Sequence, residues 1–124
     1  MTIPTGSVDP ITIYSIGYPN FYPNNADCKV TVVAEDKTKS IKTLLTNIDI
    51  EIRPTCDLDY LKISNSQYYN KICGNPDSME LNSIVPSVVL SFTSNSRITR
   101  SGYVAKFSAT ELLSGYKLET YLPS

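Results

Sequence analysis

The alternation of apolar and polar residues with a period of two most limits the folds that this chain can adopt. β-branched and aromatic residues fill the alternate positions, and turns rich in Gly, Pro, Asn and Asp separate the short segments. Helical spacing is weak except over 111–122. The pattern therefore predicts an all-β protein. The predicted strands are 11–15, 28–34, 40–52, 60–63, 69–73, 88–93 and 103–110.

Short strands at this spacing favour an antiparallel two-sheet sandwich or a barrel, and a length of 124 residues fits one domain. We expect this domain to cover residues 1–110, with 111–124 forming a tail or a linker. The residues expected to face inward are Val30, Val32, Leu90, Phe92, Val104 and Phe107.

The composition excludes several classes of functional site. Histidine is absent, which removes Ser-His-Asp triads, Cys-His pairs and histidine-ligated zinc. The net charge of -1 lacks the basic excess of a generic nucleic-acid binder. No apolar run is long enough for a membrane span, and the first ten residues lack the features of a signal peptide. We therefore expect no enzyme and no nucleic-acid partner, and if the protein is secreted, this is a mature chain or a domain of one.

The three cysteines are Cys28, Cys56 and Cys73, and no two of them have the C-x-x-C spacing of zinc or redox sites. An odd number indicates one pair and one cysteine left over. The residues alone do not say which two are paired.

The segment 15–28, with the sequence SIGYPNFYPNNADC, resembles the opening of a CUB domain, in which two Tyr-Pro turns precede a cysteine. Further matching segments follow in the family's order. They are 48–51 (IDIE), 56–63 (CDLDYLKI), 72–74 (ICG), 89–95 (VLSFTSN) and 102–107 (GYVAKF). The resemblance covers 11–109.

The resemblance implies an extracellular antiparallel β-sandwich of the jelly-roll type. Such a module binds proteins and has no catalytic activity of its own. It implies localisation outside the cell. One alternative is a targeting domain cut from a secreted multidomain protease, whose catalytic site lies in another domain. The other is a free-standing secreted protein of the spermadhesin type that binds glycans or other ligands.

The resemblance also implies a disulfide between Cys56 and Cys73, which would stabilise the fold by about 3 kcal/mol. Cys28 matches one cysteine of the family's other pair, but no partner occurs near residues 1–3. Either the chain begins just inside that cysteine, or the cysteine has been lost and Cys28 is unpaired. An unpaired Cys28 would be a small buried residue or would form an intermolecular bond.

Many CUB domains hold Ca²⁺ at one end of the sandwich, and the resemblance assigns Glu51, Asp59 and Asn95 to that site. Oxygen ligands of this kind suit Ca²⁺. Asn95 stands where the family has Asp, so one negative charge is missing. Tyr22 matches the tyrosine that supports the cluster, while Asp57 and a carbonyl near Arg97 are further candidates.

Two alternatives to the calcium site stay open at this point. Glu51 and Asp59 are either held by backbone N–H groups or Tyr22 without a metal, or they form a salt bridge with Arg97 or Arg100. In the calcium-bearing members the acidic cluster receives a Lys or Arg of a partner protein, so we expect a partner with an exposed basic residue.

Other surface residues give weaker hypotheses. Tyr68 and Tyr69 are the best candidates among nine tyrosines for an exposed contact, because tyrosine is enriched at recognition surfaces. A small glycan or anion contact by Arg97, Arg100 and Lys106 is the alternative to a solvated loop. The Tyr18-Pro19 and Tyr22-Pro23 pairs are interpreted as structural.

Overall fold

The structure is a computed structural model that describes residues 1–6, 9–64, 71–83 and 85–111. Within these ranges the chain forms eight strands. They are β1 (Thr2–Ile3), β2 (Ile11–Tyr14), β3 (Asp27–Ala34), β4 (Lys39–Asp49), β5 (Tyr60–Ser64), β6 (Met79–Asn82), β7 (Ser87–Thr93) and β8 (Gly102–Glu111). No helix in these ranges is long and apolar enough to cross a bilayer.

The strands form two four-stranded sheets, with the orders β1-β3-β7-β5 and β2-β8-β4-β6. All neighbouring pairs are antiparallel except β1 and β3, which are parallel through Thr2↔Val33 and Ile3↔Ala34. The prediction of an antiparallel two-sheet β-sandwich of the jelly-roll type is confirmed.

Alternation along the strands builds the core between the sheets. Val88, Leu90 and Phe92 on β7 are buried while the residues between them are half-buried. Phe107 on β8 is fully buried, as expected. Val104 is also buried, but an odd number of positions separates it from Phe107, so it lies on the opposite face of β8, in register with Tyr14 and Thr46.

The remaining inward-facing predictions concern β3. Val32 is fully buried there, whereas Val30 is half-buried and packs at the margin of the core. Val30 lies toward the end of β3 that β1 does not cover, since β1 pairs only with Val33 and Ala34. The side chains at this end of β3 are therefore covered less completely than those at the end that pairs with β1.

Several predicted strand boundaries differ from the structure. The prediction over 40–52 was too long, because β4 ends at Asp49 after an irregularity near Asn47, whose φ is 52°. β1 and β6 were not predicted, since one has two residues and the other, MELN, has no β-branched residue. Of the predicted strand 69–73, residues 69 and 70 lie outside the described residues, and Ile72 forms an isolated bridge with Leu61.

Gly102 allows the start of β8 to pass close to β2. Its φ is 96°, a region that favours glycine, and a Cβ placed there would overlap the Ser15 hydroxyl. The Ser15 backbone N–H donates to the Tyr103 carbonyl at 3.1 Å, and Ser15 Oγ accepts the Tyr103 N–H at 3.1 Å. The same contact brings β8 within reach of the Tyr22 ring.

Candidate functional site

Four of the residues assigned by the sequence lie together at one end of the sandwich, where several loops meet. Glu51 follows β4, Asp59 precedes β5, Asn95 follows β7, and Tyr22 lies in the connection between β2 and β3. We call Tyr22, Glu51, Asp59 and Asn95 the acidic cluster. Residues far apart in sequence meet here because the ends of β4, β5 and β7 share one rim of the sandwich.

Asp59 is fully buried and accepts two hydrogen bonds, one on each carboxylate oxygen. The Tyr22 hydroxyl donates to Oδ2 at 2.6 Å, and the Asn95 backbone N–H donates to Oδ1 at 2.7 Å. These charge-assisted bonds are among the stronger ones in proteins. Asp59 thus joins three loops through one side chain.

Tyr22 connects Asp59 to Glu51. Its buried ring packs edge-on against Phe92 with ring centroids 4.8 Å apart, and its hydroxyl accepts the Glu51 backbone N–H at 3.2 Å. Burial, followed by the hydrogen bond to Asp59, raises the pKa of Tyr22 well above its ordinary value. The hydroxyl therefore keeps its proton and donates it toward Asp59.

Glu51 differs from Asp59 in that one of its carboxylate oxygens is buried without a hydrogen bond. The residue is 6% exposed, and its Oε1 atom is buried without a hydrogen bond. Within ranges 1–6, 9–64, 71–83 and 85–111, Arg53 forms an ion pair with Asp57, and neither Glu51 nor Asp59 takes part in an ion pair. Burial of a charged or polar oxygen without compensation is unfavourable, so this arrangement calls for a cation or donor from outside.

Asn95 fastens the loop after β7 to the acidic cluster. Its carbonyl accepts the Asn25 N–H at 2.8 Å, and its side-chain Oδ1 accepts the Arg97 backbone N–H at 3.1 Å. Oδ1 retains a second lone pair, because a carbonyl oxygen carries two. The neutral amide oxygen is therefore available as a ligand, although it is already bonded once.

The sequence reasoning did not assign a role to Ser94 or Asn25, which hold this loop in place. Ser94 Oγ accepts the Ala26 N–H at 2.8 Å and donates to the Pro23 carbonyl at 2.7 Å. Asn25 has a φ of 56°, a conformation that Asn tolerates better than most residues. The turn-forming sequence Pro23-Asn24-Asn25 is the signal that could have indicated this backbone conformation.

The other residues proposed to support the site point elsewhere. Asp57 is exposed and lies 3.8 Å from the Arg53 Nε atom. The Arg97 side chain is exposed, and the contact it contributes is its backbone N–H. Tyr68 and Tyr69 lie outside the described residues.

The cysteines separate into one bonded pair and one free thiol. The predicted disulfide between Cys56 and Cys73 is confirmed, with Cα atoms 5.5 Å apart. It closes the loop that carries Asp59. Cys28 is unpaired and half-buried, and it lines a cavity of about 100 Å³ with Phe92 and Tyr103. Burial raises the pKa of Tyr103 to about 12.

The acidic cluster suits a hard cation such as Ca²⁺, which binds carboxylate, amide and hydroxyl oxygens. The orphan Oε1 of Glu51 is the observation that favours such an ion. No group of three or more His, Cys, Asp or Glu residues that could hold a metal ion occurs in the described residues. Glu51 and Asp59 are the two carboxylates that the cluster offers to a cation.

The comparison with protein families agrees with this geometry. The model of the CUB domain family matches residues 7–107. The chain belongs to the CUB domain family. CUB domains are typically extracellular, noncatalytic modules for protein interaction.

Two curated relatives show how small a part of a protein such a domain is. Cubilin of Sus scrofa is 34% identical over 103 residues, which is 79% of this chain and 3% of cubilin. Human neuropilin-2 is 30% identical over 107 residues, which is 77% of this chain and 11% of neuropilin-2. This CUB domain therefore spans only a small part of the length of these relatives.

Solved structures show the same fold. The full extracellular region of zebrafish Gpr126/Adgrg6 matches with a TM-score of 0.79 and 18% identity, covering 90% of this chain and 15% of that one. The MASP-1 CUB2 domain bound to Ca²⁺ matches with a TM-score of 0.67 and 24% identity, covering 85% and 96%.

Proposed function

We propose that this CUB domain is a noncatalytic extracellular interaction module, and that its acidic cluster holds Ca²⁺ and a Lys or Arg of a protein partner. The observation that carries the proposal is the buried, unpartnered Oε1 of Glu51 beside the fully buried Asp59. Two carboxylates without a cation among the described residues create a site that an external cation completes. The Ca²⁺-bound CUB2 domain of similar fold supports the choice of ion.

Glu51, Asp59 and Asn95 would hold the ion through their oxygen atoms, and Tyr22 would support them through its hydrogen bonds to Asp59 and to the Glu51 N–H. Bound Ca²⁺ supplies a positive charge that balances the two carboxylates and ties together the loops after β4, before β5 and after β7. Carboxylate lone pairs that the ion leaves free accept hydrogen bonds from an ammonium or guanidinium group. Because these oxygens are fixed before binding, little conformational entropy is lost when the partner binds.

Asn95 makes this site weaker than one with three acids, since ligand charge is a main determinant of Ca²⁺ affinity. We therefore expect Ca²⁺ to raise the melting temperature of the domain at millimolar concentration, and Asn95→Asp to tighten binding about tenfold or more. Asn82→Asp, on β6 opposite Lys42, is the matched control, because it adds the same charge toward the start of β4, at the end away from the cluster.

Calorimetry and thermal melting in EDTA and in millimolar Ca²⁺ test the proposal. Glu51→Gln should remove the Ca²⁺ response, because it takes away one of two carboxylates. If neither the wild-type domain nor Asn95→Asp responds to Ca²⁺, the calcium part of the proposal is wrong. Retention of the response by Glu51→Gln would place the ion elsewhere.

A further inference from the structure

A cleft beside the acidic cluster has an arginine in its wall. Its volume is about 230 Å³, and its lining residues are Asp49, Ile50, Ile52, Gly74, Asn75 and Arg100. We call it the Arg100 cleft. Ile50 and Ile52 flank Glu51 in the chain, and the Tyr22 backbone N–H donates to the Arg100 carbonyl at 2.9 Å. The cleft and the acidic cluster therefore share the same end of the sandwich.

One wall of the cleft is apolar and held by the backbone. Ile50 and Gly74 exchange two hydrogen bonds of 2.8 and 2.9 Å, which fix the strand end next to the disulfide. Ile52 then projects over Gly74 with 71% of its surface exposed. Such an isoleucine offers contact to the aliphatic part of a partner's side chain.

The two charged residues of the cleft are not equivalent. Asp49 keeps its negative charge, but its Oδ2 atom already accepts the Ser101 hydroxyl at 2.8 Å. Arg100 is exposed, and among the described residues its guanidinium has no carboxylate within ion-pair distance. Arg100 is therefore the charged side chain of the cleft that is open to a carboxylate of a partner.

We propose that the Arg100 cleft contacts the residues of the partner that flank the basic side chain bound by the acidic cluster. We further propose that it favours an acidic residue at these flanking positions. The partner segment is then an isolated Lys or Arg flanked by Asp or Glu, not a polybasic run. Arg100 attracts the flanking carboxylate and repels a second cation, while Ile52 contacts its CH₂ groups. This inference rests on the proposed function, because it needs the basic residue to be anchored at the acidic cluster.

Three short synthetic peptides test the selection. Each has a central Lys and blocked ends, and the residues on both sides are Glu, Gly or Lys. NMR titrations of the isotope-labelled domain in millimolar Ca²⁺ at low salt measure the dissociation constants. We expect the Glu-flanked peptide to bind about threefold more tightly than the Gly-flanked one, and the Lys-flanked peptide about threefold more weakly, as exposed charge pairs of modest strength give.

Arg100→Gln should remove the preference for the Glu-flanked peptide over the Gly-flanked one, and high salt should do the same. Arg53→Gln is the matched control, because Arg53 is an exposed arginine at the same end that does not line the cleft. It should leave the order of the peptides unchanged. Equal effects of the two substitutions, or tighter binding of the Lys-flanked peptide by the wild-type domain, would overturn the inference.

Glu51→Gln separates this inference from the proposed function. Loss of all peptide binding in Glu51→Gln, with no change of peptide order in Arg100→Gln, refutes the cleft and leaves the acidic cluster standing. Unchanged binding of all peptides by Glu51→Gln would show that the acidic cluster does not bind the central Lys, and it would refute both the proposed function and the inference. Loss of binding in the first variant and loss of preference in the second support both.

Discussion

The two ends of the sandwich use carboxylates in opposite ways. At the end before β4, Glu35 Oε1 accepts the Thr5 N–H at 2.7 Å, and Asp36 Oδ1 accepts the Thr38 N–H at 2.9 Å and its hydroxyl at 2.6 Å. At the other end of β4, roughly 33 Å away by strand geometry, Glu51 is buried with an unpartnered oxygen.

The two ends therefore hold two kinds of carboxylate. Glu35 and Asp36 stabilise turns through hydrogen bonds, whereas Glu51 has a buried oxygen that a ligand could bind. Glu35 and Asp36 remain near solvent, where the chain and water satisfy them, so they need nothing further. The Oε1 atom of Glu51 is instead buried and has no hydrogen-bond partner among the described residues. A carboxylate at a loop end indicates a binding site only where it lacks an internal hydrogen-bond partner, since acidic residues by themselves are common at loop ends.

The largest expected effect compares one glycine from each end. Gly102→Ala should lower the free energy of unfolding by about 2–4 kcal/mol, because its φ is unfavourable for alanine and the new Cβ would overlap Ser15. Gly6→Ala has a similar φ of 81° but meets no atom within 4 Å, so it should cost only about 1 kcal/mol. Urea denaturation of both variants measures the difference. Equal losses would mean that backbone strain alone decides, and that the close approach of β2 and β8 is unimportant.

The next effect concerns the carboxylate that is already satisfied. Asp59→Ala leaves the Tyr22 hydroxyl and the Asn95 N–H without their acceptor, and should cost about 2–3 kcal/mol even in EDTA. Asp36→Ala removes an acid from the opposite end, where water replaces the lost acceptor, and its effect should be clearly smaller. A similar loss in the two variants would show that the hydrogen bonds of Asp59 are not specially stabilising.

Glu51 should behave differently from Asp59 although the two lie in one cluster. In EDTA, Glu51→Gln should change the free energy of unfolding by less than about 1 kcal/mol, because the carboxylate has little internal compensation to lose. In Ca²⁺ the wild-type domain should gain about 1.4 kcal/mol at ten times its dissociation constant, and the variant should gain none. A large loss in EDTA would reveal an internal partner for Glu51 and remove the main argument for a ligand.

The comparison also shows which parts of the molecule sequence reasoning can predict. The alternation of apolar and polar residues predicted the core strands well. Phe92 and Phe107 occupy apolar positions of that pattern, and both are buried. β1 was missed because two residues carry no period, and its pairing with Val33 depends on a partner distant in sequence. The pairing of Cys56 with Cys73 came from the family resemblance, and the structure agrees.

The acidic cluster was predictable in its members and not in their bonding. Glu51, Asp59, Asn95 and Tyr22 meet as the family pattern implies, but nothing in the spacing tells that Asp59 is satisfied and that Glu51 is not. That distinction depends on where the Tyr22 hydroxyl and the Asn95 N–H point. The Arg100 cleft could not be predicted from the sequence for the same reason, because its lining residues come from three separate segments: 49, 50 and 52, then 74–75, and 100.

The smallest expected effect is a dependence of stability on pH that arises at the end before β4. The Thr5 N–H lowers the pKa of Glu35 below its ordinary 4.5, and the Thr38 hydroxyl and N–H lower the pKa of Asp36 below 3.8. A carboxylate whose pKa is lower in the folded than in the unfolded state stabilises the fold at pH values above its pKa in the unfolded state. This stabilisation is lost as the pH falls through its pKa in the folded state.

The double variant Glu35→Gln/Asp36→Asn should therefore lose less stability than the wild-type domain between about pH 5 and pH 3. The amides keep an acceptor oxygen for the same N–H groups but do not titrate, so the hydrogen bonds survive while the pH dependence disappears. Urea midpoints measured across this range in EDTA test the expectation, with Glu80→Gln on the exposed side of β6 as the control for an unrelated glutamate. If the wild-type and double-variant midpoints fall in parallel, the acid sensitivity of the domain does not come from this end.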